Sequence, residues 1–143
     1  MTAGHDVESV AEKQRVRGLI VAIDGPAGVG KSTVAKLLAS RLGYLYLDTG
    51  ALYRATAWAV IQSGLDPADA KGVEALLPTL SLHMQFDQGV ATVFVNGRDV
   101  SGDLRTPEVS AAASVVSAIS AVRAWLLPIQ RQIGQGGAVV AEG

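Results

Sequence analysis

The chain has 143 residues, 49% of them hydrophobic, and a formal net charge of −1, which suits one domain with a sizeable core and gives no electrostatic case for nucleic-acid binding. Cysteine is absent and the two histidines, His5 and His83, lie far apart, so the sequence excludes disulfides and thiolate metal sites and does not suggest zinc. Met1–Arg17 lacks the apolar core of a signal peptide and no apolar run is long enough to cross a bilayer, so we expect a cytoplasmic protein with neither a nucleic-acid nor a membrane partner.

The first predicted elements form a strand–loop–helix pattern. Residues 1–18 are polar and mixed in charge, and we expect a disordered tail there. Leu19–Ile23 is a short apolar run, which is typical of a strand buried on both faces. A helix should follow over Lys31–Leu42 and end at Gly43. Its apolar residues recur at helical spacing: Val34, Leu37, Leu38 and Leu42.

The sequence IDGPAGVGKST links this strand to this helix. It fits the phosphate-loop pattern G-x-x-x-x-G-K-[ST], although an ordinary glycine-rich turn is the alternative. Glycines let backbone N–H groups converge on phosphate oxygens, and the helix N-terminus adds partial positive charge. Lys31 can then reach the outer phosphates as the candidate catalytic residue, and the Ser32 hydroxyl can bind Mg²⁺. The predicted residues for binding nucleoside triphosphate are Gly25, Pro26, Ala27, Gly28, Val29, Gly30, Lys31, Ser32 and Thr33.

A second group of polar residues follows a second predicted strand, Tyr44–Leu47. In LDTGALYR, Tyr53 and Arg54 lie early in the next helix, and arginine is well shaped to bind phosphate through two hydrogen bonds. Ligands gather at the carboxyl ends of parallel strands, so this position would allow the group to face the phosphate loop. The alternative is that Asp48 or Thr49 caps the helix and that both longer side chains lie on a solvated face.

The middle of the chain changes to a period of two. Apolar and polar residues alternate in LSLHMQF, at positions 80–86, as in a half-buried strand, and Val90–Val95 predicts a second strand. Asn96-Gly97 is a strong hairpin signal, with a third strand at Arg98–Val100. We therefore expect a small antiparallel insert within residues 65–105.

Helices occupy most of the remaining sequence. Pro128 should kink or shorten the last of them. The final GGAVVAEG predicts a turn and a buried strand over Ala138–Ala141. The predicted helices run over Ala51–Ser63, from Asp66 to Leu77, over Thr106–Ala118 and onward from Ser120.

Several stretches together resemble cytidylate kinases of the bacterial type: IDGPAGVGKST, YLDTGALYR, GRDVSGDLRTPEVSAAAS and the final AVVAEG. The resemblance covers almost all of Leu19–Gly143, and LDTGALYR and VSGDLRTPEV are more specific to this family than the phosphate loop is. It implies the α/β fold of a P-loop kinase. Such a fold has a three-layer parallel-sheet core, incomplete here, and the antiparallel insert belongs to its monophosphate-binding region. Residues 19–143 would be the N-terminal part of the kinase domain.

The resemblance also implies an activity, namely ATP-dependent phosphoryl transfer to CMP or dCMP that gives the diphosphate and ADP, with Mg²⁺ as cofactor. Thr49 and Arg54 match positions that contact the sugar-phosphate end of CMP. Ser114 and Arg123 match positions that hydrogen-bond the cytosine base, although by sequence alone they are a small helical residue and a solvated arginine. Arg105 matches a family arginine of the acceptor site. The implied CMP-binding residues are Thr49, Tyr53, Arg54, Arg105, Ser114 and Arg123.

The family pattern continues past Gly143, with an arginine and an aspartate, an arginine-rich lid and the adenine-binding segment. We therefore expect a truncated chain without useful turnover by itself, whose last strand, Ala138–Ala141, has an unpaired edge or an uncovered face. The expected partners of the parent enzyme are ATP, CMP and dCMP, in pyrimidine nucleotide metabolism, and the expected state is a monomer. The alternatives are another P-loop kinase of a small metabolite and, for this chain, a nucleotide-binding fragment.

Overall fold

The described residues form two compact units, which we call unit 1 (described residues up to Leu47 and from Gln132 to Gly143) and unit 2 (described residues from Asp48 to Arg131). The computed structural model describes residues 20–25, 30–87, 90–135 and 137–143. The predicted tail, residues 1–18, lies outside the described residues.

Helices and strands are mixed along the chain. In chain order they are β1 (Ile20–Ile23), α1 (Lys31–Leu42), β2 (Leu45–Asp48), α2 (Thr49–Gln62), α3 (Ala70–Leu76), β3 (Leu82–Asp87), β4 (Val90–Val95), β5 (Arg98–Asp99), α4 (Pro107–Ser117), α5 (Ser120–Gly134) and β6 (Val139–Glu142). Short 3₁₀ turns cover Leu77–Thr79 and Ser101–Asp103. One sheet has the order β1-β6-β2 and the other the order β3-β4-β5. This arrangement confirms the predicted α/β class, with a partial parallel sheet and a small antiparallel one.

The sheet of unit 1 places β6 in its centre. β6 runs parallel to β1, with Ile23 opposite Glu142, and on its other side the Leu45 N–H donates to the Ala138 carbonyl at 2.9 Å. The expectation that the last strand has an unpaired edge or an uncovered face is therefore wrong, because β6 has a neighbour on each side and Val139 and Val140 are buried.

The exposed face of this sheet belongs to β1 instead. Ile20 is 62% exposed and Ala22 is exposed as well, so the prediction of a strand buried on both faces is wrong. Val21 and Ile23 pack against the core around α1. Because successive side chains of a strand point to opposite faces, Ile20 and Ala22 face away from α1.

Helix α1 has the predicted bounds but a different buried face. Gly43 ends it with a φ of 67°, in the left-handed region that favours glycine. Its buried residues are Ala35 and Ala39, which pack with Val140 of β6. The predicted apolar stripe is mostly exposed, because the helix approaches the sheet through its alanines. Val34, Leu37 and Leu42 are 57%, 51% and 46% exposed, and Leu38 is partly buried.

Unit 2 combines the antiparallel sheet with helices α2, α3 and α4, the two 3₁₀ turns and most of α5. In the sheet, Leu82 pairs with Val95 and Asp87 with Val90, and the alternation of exposed and buried residues along β3 confirms the period-two prediction. Asn96 and Gly97 both have left-handed φ values, 51° and 81°, as a tight hairpin turn requires. The antiparallel strands lie within the predicted insert, residues 65–105, whose bounds stay a prediction.

Helix α2 packs along α4 and contacts β3 and β4. The largest fully buried side chains of unit 2 are Leu52, Val60, Val73, Val100, Val116, Val122 and Leu126. Unit 2 therefore has a core of leucine and valine residues that its helices supply, together with Val100 directly after β5.

The last helix, α5, does not stop at Pro128 but continues to Gly134, so of the two predicted effects, a kink or a shorter helix, the shortening is wrong and the kink stays a prediction. Proline removes a hydrogen bond to the carbonyl four residues earlier, and that residue, Ala124, is exposed, where water can replace the bond. Within the described part of the chain, no helix is by itself long and apolar enough to cross a membrane. α4 and α5 meet that test of length and composition only as a pair, bent by 99°.

Candidate functional site

The predicted phosphate loop begins directly after β1 and ends at α1. Gly25 and Gly30 have φ values of 155° and 78°, in the region that favours glycine. Gly30 occupies the N-cap position of α1, where no side chain caps the helix. The first N–H groups of α1 are therefore available to an anion at the end of the helix that carries partial positive charge. The loop residues Pro26, Ala27, Gly28 and Val29 lie outside the described residues.

A polar cluster of four residues lies at the start of α1, and we call it the unit 1 cluster: Lys31, Ser32, Tyr46 and Glu142. Glu142 is only 6% exposed. It accepts one hydrogen bond from the Ser32 hydroxyl and one, on its other oxygen, from the Tyr46 hydroxyl. The Lys31 Nζ donates to the Gly143 carbonyl at 3.0 Å. Because a buried carboxylate is costly unless it is hydrogen-bonded, the two hydroxyls stabilise Glu142 in place.

The unit 1 cluster fits a magnesium ion that arrives with a nucleotide. Mg²⁺ prefers oxygen ligands and is usually bound by few carboxylates together with substrate phosphates. The described residues include no group of three or more His, Cys, Asp or Glu side chains that could hold a metal by themselves. The hydroxyl of Ser32 and the carboxylate of Glu142 form a matching pair of oxygen donors beside the loop. Thr33, the last predicted loop residue, is exposed in the first turn of α1.

Unit 2 contains an ion pair within LDTGALYR. The Arg54 Nη2 lies 2.8 Å from the Asp48 Oδ2, and the two side chains are 19% and 24% exposed. Asp48 is the N-cap residue of α2, but its side chain makes no capping hydrogen bond. Arg54 is therefore not on a fully solvated face, and Asp48 is not a side-chain cap. Thr49 and Tyr53 are both half-buried in the first two turns of α2.

The other predicted acceptor-site residues are exposed in unit 2. Arg105 precedes α4, Ser114 lies on α4, and Arg123 lies in the first turn of α5. Ser114 Oγ donates only to the Ser110 carbonyl on its own helix, at 3.4 Å. Across the described ranges, the ion pair joins Arg54 to Asp48, and no hydrogen bond or ion pair joins Arg105, Ser114 and Arg123 to one another. Their assignment to the acceptor site stays a prediction.

The sequence did not predict Tyr46 or Glu142 as site residues, and it offered Asp48 only as a helix cap. A signal existed for Glu142, since an acidic residue that ends a buried strand near a phosphate loop is a typical partner of bound Mg²⁺. Tyr46 carries no such signal because it is one of several large residues in β2.

The comparisons with known proteins agree with this geometry. The family model for cytidylate kinase matches residues 21–143. The chain belongs to the cytidylate kinase family. This confirms the resemblance drawn from the motifs.

Two relatives show how much of this family's sequence the chain spans. It is 52% identical over 128 residues to a bifunctional pantoate ligase/cytidylate kinase of Synechococcus sp. (strain WH7803). It is 49% identical over 124 residues to a cytidylate kinase of Pelotomaculum thermopropionicum. These alignments cover 89% and 86% of this chain, but 26% and 55% of the two relatives. The chain therefore corresponds to part of each of these proteins.

Proposed function

We propose that the complete natural protein carrying this sequence transfers the γ-phosphoryl group of ATP to CMP or dCMP, which gives CDP or dCDP and ADP. The unit 1 cluster carries the proposal, because it combines an ammonium, a hydroxyl and a buried carboxylate beside the open N-terminus of α1. Membership of the cytidylate kinase family supports the choice of acceptor. Cytoplasmic location, a role in pyrimidine nucleotide metabolism and the monomeric state stay predictions.

The reaction needs no protein nucleophile. A phosphate oxygen of the acceptor attacks the γ-phosphorus in line, and the bond from this phosphorus to the β–γ bridging oxygen breaks with its electron pair leaving on ADP. The protein contributes positions and charges. Lys31 would exchange the Gly143 carbonyl for the outer phosphates, and the first amide groups of α1 would bind phosphate oxygens.

Magnesium, when bound with ATP, supplies positive charge that offsets the charge of the phosphates. Ser32 and Glu142 are the residues that would hold it. Tyr46 would keep the carboxylate of Glu142 in a fixed orientation, as hydrogen-bond partners of metal ligands do.

Acceptor binding falls to unit 2 in this proposal. Arg54 would bind the CMP phosphate with Thr49 and Tyr53 nearby, and Arg105 would add a positive charge. Ser114 and Arg123 would hydrogen-bond the cytosine. Changing Arg123 to Ala should then raise the CMP concentration required and narrow the preference for CMP over UMP, since a lost hydrogen bond to a base edge reduces discrimination.

The test is a pair of titrations on the complete protein, with ATP in the presence of Mg²⁺ and with ATP in EDTA. Lys31→Ala should weaken binding in both conditions by about 1.5–3 kcal/mol, the usual contribution of a charge-assisted hydrogen bond. Glu142→Gln should weaken binding only with Mg²⁺. Lys71→Ala, an exposed lysine of α3, is the control.

A coupled assay against all nucleoside monophosphates then identifies the acceptor. Highest activity with CMP or dCMP is expected. Unchanged affinity in Lys31→Ala would contradict the phosphate-loop proposal, and a preferred acceptor of another class would favour a different small-metabolite kinase.

A further inference from the structure

The side chain of Asp48, at the N-cap of α2, binds Arg54 instead of capping the helix. An aspartate at a helix N-cap normally accepts a hydrogen bond from a backbone N–H of the first turn. Two helices of unit 2 follow this rule: Asp69 accepts from the Gly72 N–H at 3.1 Å and Thr106 from the Val109 N–H at 3.2 Å. Asp48 gives up that bond and pairs with Arg54 instead. The carboxylate is therefore used to hold the guanidinium rather than to cap the helix.

Gly50 provides the space in which this ion pair lies. A Cβ at position 50 would be 2.9 Å from Arg54 Nη1 and 3.0 Å from Asp48 Oδ1. Glycine is less favourable than alanine in a helix. The side chain of Asp48 does not cap α2 either, so the first turn of this helix lacks the stabilisation that a capping hydrogen bond from Asp48 would give. Glycine here allows the guanidinium to lie back over the first turn of its own helix.

The guanidinium is held in one orientation at some cost. Within the described part of the chain, the Arg54 Nε is buried and has no hydrogen-bond partner. Buried unsatisfied donors are rare and tend to occur where a functional geometry is imposed. Asp48 accepts a hydrogen bond from Nη2, and arginine has further N–H donors on Nη1 that a planar or tetrahedral oxyanion can use.

We propose that Asp48 and Gly50 are positioning residues for Arg54: Asp48 fixes the guanidinium through Nη2, and Gly50 leaves the room for it, so that its remaining donors meet the phosphate of the acceptor nucleotide. This inference rests on the proposed function, in which Arg54 binds that phosphate. A single arrangement, the ion pair with the space beside it, then explains why Asp48, Gly50 and Arg54 stand at these positions of LDTGALYR.

Gly50→Ala in the complete natural protein gives the sharpest test, because its effects on folding and on binding should have opposite directions. Alanine favours the helix, and the atoms that must move belong to the far ends of side chains. Thermal stability should therefore be equal or higher. The KM for CMP should nevertheless rise about tenfold or more, the loss expected of one charge-assisted hydrogen bond, with little change in kcat. Asp48→Asn should raise the KM in the same way.

Two matched variants and a second ligand separate positioning from a general structural role. Gly134→Ala adds a methyl group to another helical glycine, where the nearest atom is at an ordinary 3.6 Å, and Asp87→Asn removes an exposed carboxylate of β3. Both should keep the wild-type KM. Calorimetric affinity for cytidine, which lacks the phosphate, should be the same in wild type, Gly50→Ala and Asp48→Asn.

Arg54→Ala distinguishes the possible failures. If it raises the KM for CMP while Gly50→Ala and Asp48→Asn do not, the inference is overturned and the acceptor-site proposal stands. If Arg54→Ala leaves the KM unchanged, both are overturned. A Gly50→Ala protein that loses stability, or that loses cytidine affinity as much as CMP affinity, also overturns the inference.

Discussion

The two units differ in how they bury apolar residues. Around α1, the buried residues of unit 1 are two alanines, Ala35 and Ala39, and one valine, Val140 of β6, while larger residues of the same helix, such as Leu37, are exposed. Unit 2 fully buries leucine and valine side chains from four helices, with Leu52 among the largest. Hydrophobic stabilisation scales with the apolar area removed from water. We therefore expect hydrophobic burial to contribute more stability per residue in unit 2 than in unit 1.

The polar contacts of unit 1 join residues far apart in the sequence, whereas those of unit 2 described here are local. In unit 1, Glu142 joins Ser32 and Tyr46 across sequence separations of 110 and 96 residues. In unit 2, the Asp48–Arg54 pair spans 6 residues, and the buried Thr56 hydroxyl donates to the Leu52 carbonyl of its own helix, 4 residues earlier. Unit 1 thus uses buried polar groups to join distant parts of the chain. Substitutions of apolar residues should therefore affect unit 2 more, and substitutions of hydroxyls should affect unit 1 more.

The largest expected effect is the difference in the free energy of unfolding between alanine variants of the buried Leu52 and the exposed Leu37. Leu52→Ala should lower the free energy of unfolding by about 2–5 kcal/mol, because it leaves a cavity at a fully buried site. Leu37→Ala removes the same atoms from an exposed position and should cost roughly 0.5 kcal/mol or less. Urea unfolding of the 143-residue chain, followed by circular dichroism, measures both. Equal losses would show that the two cores do not differ as described.

A middle-sized effect concerns the hydroxyls that hold Glu142. Tyr46→Phe removes one hydrogen-bond donor from the buried carboxylate of Glu142 and should lower the free energy of unfolding by about 1.5–3 kcal/mol, the usual contribution of a hydrogen bond to a charged group. Ser32→Ala should cost a similar amount and should also weaken ATP binding in the presence of Mg²⁺, since Ser32 is a proposed metal ligand. Unfolding without nucleotide and ATP titration with Mg²⁺ measure the two effects separately.

A double variant tests whether the Tyr46 effect passes through Glu142. Combined with Glu142→Gln, Tyr46→Phe should cost clearly less than it does alone, because residues that share one hydrogen-bond network are not additive. Fully additive losses in the free energy of unfolding would mean that Tyr46 stabilises unit 1 through its ring rather than through its hydroxyl.

Local signals in the sequence predicted much of this fold. The bounds of α1 were confirmed because Gly43 marks its end, and the hairpin was confirmed because Asn96 and Gly97 suit left-handed φ values. The buried face of α1 was predicted wrongly, since periodicity gives weight to leucine and the helix packs through Ala35 and Ala39.

The candidate sites were predicted less completely, because some of their contacts join residues that are far apart in the sequence. The phosphate loop is one continuous segment, so its spacing is visible in the sequence. The bond from Ser32 to Glu142 joins residues 110 positions apart, and no periodicity links them. Arg54 was predicted, but the use of Asp48 as its partner instead of as a helix cap depends on the space that Gly50 leaves.

The smallest expected effect concerns the capping of helix N-termini, which differs between α1 of unit 1 and α4 of unit 2. In unit 1 no side chain caps α1, which suits a helix that is to bind phosphate. In unit 2 the hydroxyl of Thr106 caps α4. Thr106→Ala should therefore lower the free energy of unfolding by about 1 kcal/mol, the usual value of a side-chain cap. Thr106→Ser keeps the hydroxyl and is the control, with a change of roughly 0.5 kcal/mol or less.

Urea unfolding gives both free energies, and amide hydrogen exchange at Val109 reports the cap itself. Exchange at this amide should become faster in Thr106→Ala and stay slow in Thr106→Ser, because the Val109 N–H donates to the hydroxyl. If the two variants behave alike, the contact with Thr106 is not what protects the start of α4. The contrast between a closed helix end in unit 2 and an open one in unit 1 would then lose its energetic basis.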